Sequence, residues 1–581
     1  MDAIIREAAR LDPDVTFRAS KSHTHYTWAK TFQSRPELYL RPQNLEEIQK
    51  IVNLARRCRR RIVVVGCGHS PSDLTCTSSW MVNLDDFSRV VKVDKQKKTL
   101  LVQAGIRIRQ LNKEANENGL TIPNLGSIDE QSIAGAISTA THGSSLKHGL
   151  LSDNVRSLQI VLSNGRAVRC SNEQNQDLFR AGLISLGALG IITEIEYQMT
   201  EACNIEWTQT LLPLSDVLNR WETTLWTERE FTRVWWMPYM KRAIVWSAEK
   251  TPKPLCPPKY SFYGGPVGFH TYHTLLWVSN YVPWILPSVE WFVFGMQYGF
   301  KTGKSTTGVE PLQHGLLMNC LYSQFVNEWA LPLEKGPEAI GRLSAWINNE
   351  PGSDIPFSAN GLYVHCPIEV RVSDTSRNNE PRPFLDNTNA NGPTLYLNAT
   401  LYRAYLNDPP CRDRYYEAFE WLMRDLGGKP HYAKNFMYTS SEQMQSMFGE
   451  NLTKWAKIRD EADPKGMFLG EWHQRTLGLG KDAKFALSEH EVSRNNARNG
   501  GKIWVGEVRE SSQSDVRDAF TDTKIDSNVS EASSDYKPIS PSASSASSFD
   551  MIHGAEAEKS TVFNLEDGEE ESGDETDKGQ K

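Results

Sequence analysis

Two charged side chains, Glu369 and Arg371, stand two residues apart in the run His365-Cys366-Pro367-Ile368-Glu369-Val370-Arg371. On a strand, positions i and i+2 share a face, so a carboxylate and a permanently cationic guanidinium would enter one pocket. Such a pair could orient a hydroxyl and stabilise a developing negative charge. An exposed ion pair on a solvated strand is the other reading these two residues permit. A second candidate is Gly66-Cys67-Gly68-His69-Ser70-Pro71-Ser72-Asp73, which follows the apolar, β-branched run Ile62-Val63-Val64-Val65. That run predicts a buried strand with the loop at its C-terminal end. The two glycines let backbone approach a ligand closely, and successive N–H groups in such a turn can gather an anion. His69 could do more than hydrogen-bond. Alone, the motif is equally a tight turn with a surface histidine.

A third segment runs from Leu125 to Gly143, with small residues Ala134, Gly135 and Ala136 and hydroxyls at Ser127, Ser138, Thr139 and Thr141. It reads either as an Ala/Gly-rich packing helix or as a ligand wall offering hydroxyl donors. The elements around these segments alternate between helix and strand. Asn44 with Glu47 three residues on signals a helix start, and Leu45, Ile48, Ile51, Val52 and Ala55 fall on one helical face. A strand at Leu100-Leu101-Val102 leads to a helix carrying Ile108, Leu111 and Ala115, closed by Gly119. Asn164-Gly165 between two β-branched runs predicts a hairpin, and Gly187 to Ile192 runs small residues into a strand. From about residue 204 aromatic-rich segments such as Val234-Trp235-Trp236-Met237 and Glu328-Trp329 take over.

The organisation expected is a lead-in over 1–33, a nucleotide-binding domain over 34–203, a substrate domain over 204–479 and a tail over 480–581. The tail is Ser-rich and acidic and is expected to be disordered, because it offers little apolar surface to offset ordering entropy. The chain of 581 residues carries a formal net charge of −7, which gives no footprint for nucleic acid. Nine cysteines without Cys-x-x-Cys pairs argue against a disulfide framework and against a zinc site. The first residues lack the apolar stretch of a secretory signal, so the sequons at Asn398 and Asn451 are expected to be unglycosylated. No Gly-x-Gly-x-x-Gly dinucleotide fingerprint is present, and Gly303-Lys304-Ser305 fails as a P-loop because Tyr298 stands where the first glycine belongs.

The glycine loop and the 125–143 segment, in this order, resemble the FAD-binding domain of vanillyl-alcohol-oxidase type flavoproteins. The resemblance implies an α+β fold of that type, with a larger α+β substrate (cap) domain. It implies FAD contacts from Gly66, Cys67, Gly68, His69, Ser70, Gly126, Ser127, Gly135, Ser138, Thr139, Thr141, His142, Gly143, Gly190 and Ile192, with His69 bonded covalently to the flavin. The strand with Glu369 and Arg371 resembles the Glu-x-Arg strand of the sugar-1,4-lactone oxidases. Lys429-Pro430-His431-Tyr432-Ala433-Lys434 is similar to their His-Trp-x-Lys motif, with Tyr432 where Trp is usual.

Within that family the stretch Cys320 to Ala330 resembles the branch acting on D-arabinono-1,4-lactone. The implied reaction is oxidation of the lactone C2 alcohol with O2 as acceptor, giving H2O2 and the dehydro-lactone of D-erythroascorbate synthesis. Glu369, Arg371, His431 and Lys434 would line the substrate pocket. Rival expectations are an L-gulono- or L-galactono-1,4-lactone oxidase and a flavin-binding membrane protein without turnover. In the family an alanine matching Gly126 restricts oxygen access, so glycine here implies an oxidase. Residues 274–300 are apolar and aromatic but are interrupted by Pro283, Pro287 and Glu290, so a straight bilayer span is not expected. Interfacial insertion or an aromatic core cover both suit the composition. The resemblance tips the expectation to membrane association, at the mitochondrion.

Overall fold

The computed structural model describes residues 2–480 apart from 259–264, 319, 366 and 378–380, together with two short strands, Ser493–Asn496 and Lys502–Val505. The Ser-rich and acidic remainder of the tail, and Cys366, lie outside the described residues.

Two sheets, of four and five strands, dominate the first half. In one, Ala19–Ser20, Leu38–Leu40, Trp80–Asn83 and Ile62–Val65 lie side by side, the last three mutually parallel. The expected helix, Leu45–Arg57, joins two of these strands, and the Asn44 side chain accepts from the Glu47 N–H at 2.8 Å. Its Ile48, Ile51, Val52, Leu54 and Ala55 are buried, each larger side chain contributing about 1.5–3 kcal/mol. In the other sheet, Ala167–Ser171, Val155–Val161, Ile191–Gln198, Thr99–Gln103 and Val90–Asp94 are antiparallel throughout. The predicted hairpin is present, with Val161 opposite Ala167 and Gly165 at φ +82°. A side chain at Gly165 would strike Asn53, its Cβ falling 2.4 Å from Oδ1.

The second half is built on one eight-stranded antiparallel sheet. Its order is Ser305–Pro311, Asn204–Pro213, Arg242–Thr251, Phe231–Met237, Ile368–Ser373, Thr394–Tyr402, Gln324–Pro332 and Lys429–Pro430. The period of two sorts each strand by face. Ile368, Val370 and Val372 pack in a core with Ile340 and Leu343 of the helix Gly336–Ile347 and Phe419 and Leu422 of the helix Arg412–Asp425. Glu369 and Arg371 therefore point the other way, toward the first half. The chain then returns. Helices Ser441–Ala462 and Glu471–Leu477 pack on the first half, where Ile62 N–H donates to Met467 O at 2.9 Å and Arg475 pairs with Asp73 at 2.7 Å.

The apolar segment forms a helical hairpin, Pro266–Ser279 and Leu286–Tyr298, turned by Pro283–Ile285. Tyr272, Leu276, Val289, Val293 and Phe294 pack against Leu211, Met237 and Ile244 of the sheet. The outer face leaves Val267, Tyr281, Trp284 and Trp291 more than half exposed. Glu290 points inward and accepts from the Met240 N–H at 2.9 Å, and burial pushes its carboxyl up to about 8. Tyr405 and Leu406, exposed beside the hairpin, both have positive φ, and the Tyr405 N–H donates to His273 Nε2. Among the described residues no helix is long and apolar enough to cross a membrane.

Candidate active site

A cavity of about 370 Å³ lies between the two halves. One wall is the glycine loop, and Gly66, Cys67, Gly68, His69 and Ser70 all line it. Gly66 is required because a Cβ there would sit 2.1 Å from Ser132 Oγ, the oxygen that accepts the Cys67 N–H at 3.1 Å. Gly68 has φ +66°, a conformation open to glycine at no steric cost. The His69 ring stacks on Trp28 with centroids 4.6 Å apart. Burial, reinforced by Lys434 and Arg107, lowers His69 to about 4, so the imidazole is neutral at physiological pH. Trp28 also lines the cavity, and its backbone N–H donates to Gly68 O at 2.8 Å. The lead-in thus forms part of the site, which the local sequence around Trp28 did not signal.

Gly126, Ser127, Gly135, Ser138, Thr139, Thr141 and His142 form a second wall, and Gly190 and Ile192 a third. Gly143 is the exception among the expected contacts. It is not on the cavity wall, and its Cβ position lies 2.1 Å from Asn124 Oδ1, so it serves close backbone packing. Tyr432, the departure from the Trp of the motif, is fully buried and donates to Leu385 O at 2.7 Å. It fills an aromatic packing position beside Phe448.

The opposite wall carries Glu369, Arg371, His431 and Lys434, brought together from a span of 66 residues. Behind them sits a residue to which the sequence assigned no chemistry, Glu328, fully buried in the strand Gln324–Pro332. Its Oε1 accepts from Arg371 Nη2 at 2.6 Å and from His142 Nε2 at 3.0 Å. Its Oε2 accepts from Asn398 Nδ2 at 3.3 Å and pairs with Lys434 Nζ at 3.4 Å. Arg371 and Lys434 hold its carboxyl well below the usual range against the opposing effect of burial. A carboxylate only accepts, so His142 Nε2 carries hydrogen. His431 Nδ1 accepts the Ala433 N–H, and burial keeps this ring neutral too. Asn398, which heads a sequon, is buried inside this cluster, where no glycan fits.

His142, Glu328 and His431 could approach one metal ion, their ligand atoms lying within 4.8 Å of one another. Arg371 and Lys434 already occupy the only carboxylate of the trio, so a further cation would meet net repulsion. A flavin fits better. Ser127 Oγ, Gln131 Oε1 and Glu369 Oε1 are buried, face the cavity and have no partner among the described residues. Buried polar atoms seldom stay unsatisfied, which makes these three positions for ligand contacts. The open approach at Gly135 and the neutral His69 suit a planar ring with a diphosphate chain.

The fold and this cavity define a FAD-dependent oxidoreductase of the vanillyl-alcohol-oxidase type. The sequence model of a FAD-binding domain family matches residues 36–171. Two solved cholesterol oxidases, one from Brevibacterium sterolicum among them, share the fold with TM-scores of 0.67 and 0.65 over 80% of this chain and 98% of theirs. At 15% and 14% identity the likeness is one of fold alone. The chain belongs to the D-arabinono-1,4-lactone oxidase family, whose sequence model matches residues 195–476. D-arabinono-1,4-lactone oxidases of Yarrowia lipolytica and Saccharomyces cerevisiae are 41% and 37% identical, over 78% and 77% of this chain and 96% and 95% of theirs. A Neurospora crassa protein provisionally given the same description is 50% identical over 86% of this chain and 95% of that one.

Proposed function

We propose that this protein oxidises D-arabinono-1,4-lactone at C2 with O2 as final acceptor, releasing H2O2 and the dehydro-lactone. The observation that carries the reading is the buried, unpartnered Glu369 Oε1 facing the cavity beside Arg371. Glu369 accepts the hydrogen of the C2 hydroxyl and fixes the alcohol's orientation. Arg371, itself buried, would face the negative charge that develops as electrons pass from the substrate to the flavin. The His431 and Lys434 side chains line the same wall and bind the lactone's oxygens. FAD supplies the two-electron redox chemistry, held by the glycine loop and the 126–142 wall. His69 would be the residue that tethers the flavin, its neutral ring keeping a nitrogen lone pair available. Anaerobic mixing with D-arabinono-1,4-lactone should bleach the flavin, and air should restore it with peroxide. A flavin that D-arabinono-1,4-lactone leaves oxidised while L-gulono- or L-galactono-1,4-lactone bleaches it would overturn the substrate assignment.

The same proposal includes attachment to a membrane surface, with the mitochondrion as its site. The support is the hairpin's outer face, where Tyr281 and Trp284 of the turn and Trp291 of the second helix are exposed, and neither helix carries Lys or Arg. Trp and Tyr favour the headgroup boundary, and the exposed Lys301 and Lys304 just beyond suit anionic lipids. Replacing Trp284 and Trp291 together by Ser should abolish flotation with anionic phospholipid vesicles. Wild-type protein that fails to float would refute the attachment, and organelle fractionation tests the location.

A further inference from the structure

Glu328 does not reach the cavity wall, yet His142, Arg371 and Lys434, which do, converge on its two oxygens. The sheet register explains how. Glu369, Asn398 and Glu328 stand directly opposite one another on three adjacent strands. Arg371, two residues from Glu369, bridges the row, 2.6 Å from Glu328 Oε1 and 3.4 Å from Glu369 Oε2. Its Nε makes no aligned hydrogen bond, so the Nη2 bond to Glu328 is what sets the plane of the guanidinium. Lys434 arrives from a loop and finds its only described ion-pair partner in the same carboxylate. The His142 bond ties this cluster to the flavin-binding half.

We propose that Glu328 is a positioning residue of this oxidase: from behind the cavity wall it fixes Arg371 and Lys434 and sets the net charge facing the flavin. Arg233, buried and held to about 10 by its surroundings, interacts electrostatically with both Glu369 and Arg371 and stays cationic. Three cations, Arg233, Arg371 and Lys434, therefore share two carboxylates, leaving one net positive charge. Glu328→Gln would raise that excess to two while loosening the plane of Arg371. Glu328→Asp would keep the charge but draw the oxygens back from Arg371 and Lys434.

The inference rests on the lactone-oxidase reading for its rate measurement alone. The second readout is sulfite, an anionic nucleophile whose addition to oxidised flavin strengthens with nearby positive charge. Flavin-loaded Glu328→Gln should bind sulfite more tightly, on the order of tenfold for one added charge in a shielded site. Its anaerobic reduction by lactone should slow by about tenfold or more, with a smaller change in KM. Flavin-loaded Glu328→Asp should keep wild-type sulfite affinity and still be slow. Wild-type rates and sulfite affinity in Glu328→Gln would overturn the proposal. If that variant does not fold, a folded Glu328→Asp with the wild-type reduction rate refutes the positioning role. Wild-type flavin that no lactone bleaches would sink the substrate reading, while the sulfite comparison would still decide the charge assignment.

Discussion

Arg371→Met keeps most of the side-chain stem and removes the charge, which makes it the sharpest probe of the cavity. Glu328 then loses its partner at 2.6 Å but retains His142 at 3.0 Å, Asn398 at 3.3 Å and Lys434 at 3.4 Å. Breaking a buried ion pair costs about 3–5 kcal/mol when nothing else compensates. With three donors left in place, the stability loss should fall at or just below the lower end, about 2–3 kcal/mol. The rate carries a separate loss. Removing one preorganised donor from a site of developing negative charge lowers kcat by about 10²–10³. Rapid anaerobic mixing with D-arabinono-1,4-lactone, following flavin absorbance, measures that step free of oxygen chemistry, and a thermal melt of the same sample measures stability. Arg371→Lys should lie between, because an ammonium cannot span Glu328 and Glu369 as the guanidinium does. A folded, flavin-loaded Arg371→Met that bleaches within about threefold of wild type would refute the electrostatic role.

Gly126→Ala places a methyl 3.3 Å from Thr141 Cγ2 at the cavity wall, a contact that needs only a slight give. It should slow reoxidation by O2 and spare turnover with an artificial acceptor; equal loss with both would refute the gate. His69→Ala should release flavin on acid precipitation where the wild type keeps it, and release from both would exclude the covalent bond. Glu290 has a folded-state carboxyl raised from 4.5 to about 8, so the folded protein holds a proton that the unfolded chain has lost between those values. Its protonated form is fully favoured below about 4.5, and wild-type stability should fall as pH rises through that window. Glu290→Gln should flatten the fall in chemical denaturation at pH 5 and pH 8; an unchanged slope would contradict the burial of this carboxyl.

The parts of the site legible in the sequence were those whose geometry is local. A two-residue period set Glu369 and Arg371 on one face, and glycines after a β-branched run marked the flavin loop. Trp28 and Glu328 were not legible in this way. Trp28 meets His69 from a segment without periodic pattern, and Glu328 draws partners from positions 142, 371, 398 and 434, which only the sheet order juxtaposes. An acid inside the largely apolar Phe325–Leu331 run was the one available signal for it. Gly143 shows the converse limit. It belongs to the right segment, but its missing side chain points at Asn124 rather than the cavity. Fold class was readable because alternating elements and the change in composition near residue 204 are properties of whole segments.

The flavin loop is held in place by chain made several hundred residues later. Ser72 N–H donates to Ala433 O, Asn435 Nδ2 to Pro71 O, and Arg475 reaches Asp73. The strand that feeds the loop, Ile62–Val65, lies at the edge of its sheet and receives Met467 O only from that distant segment. During synthesis the first domain therefore emerges with its ligand loop unbraced and a sheet edge uncovered. Those braces can form only once the chain through Arg475 has left the ribosome, so the geometry of the loop is set late in the life of each molecule.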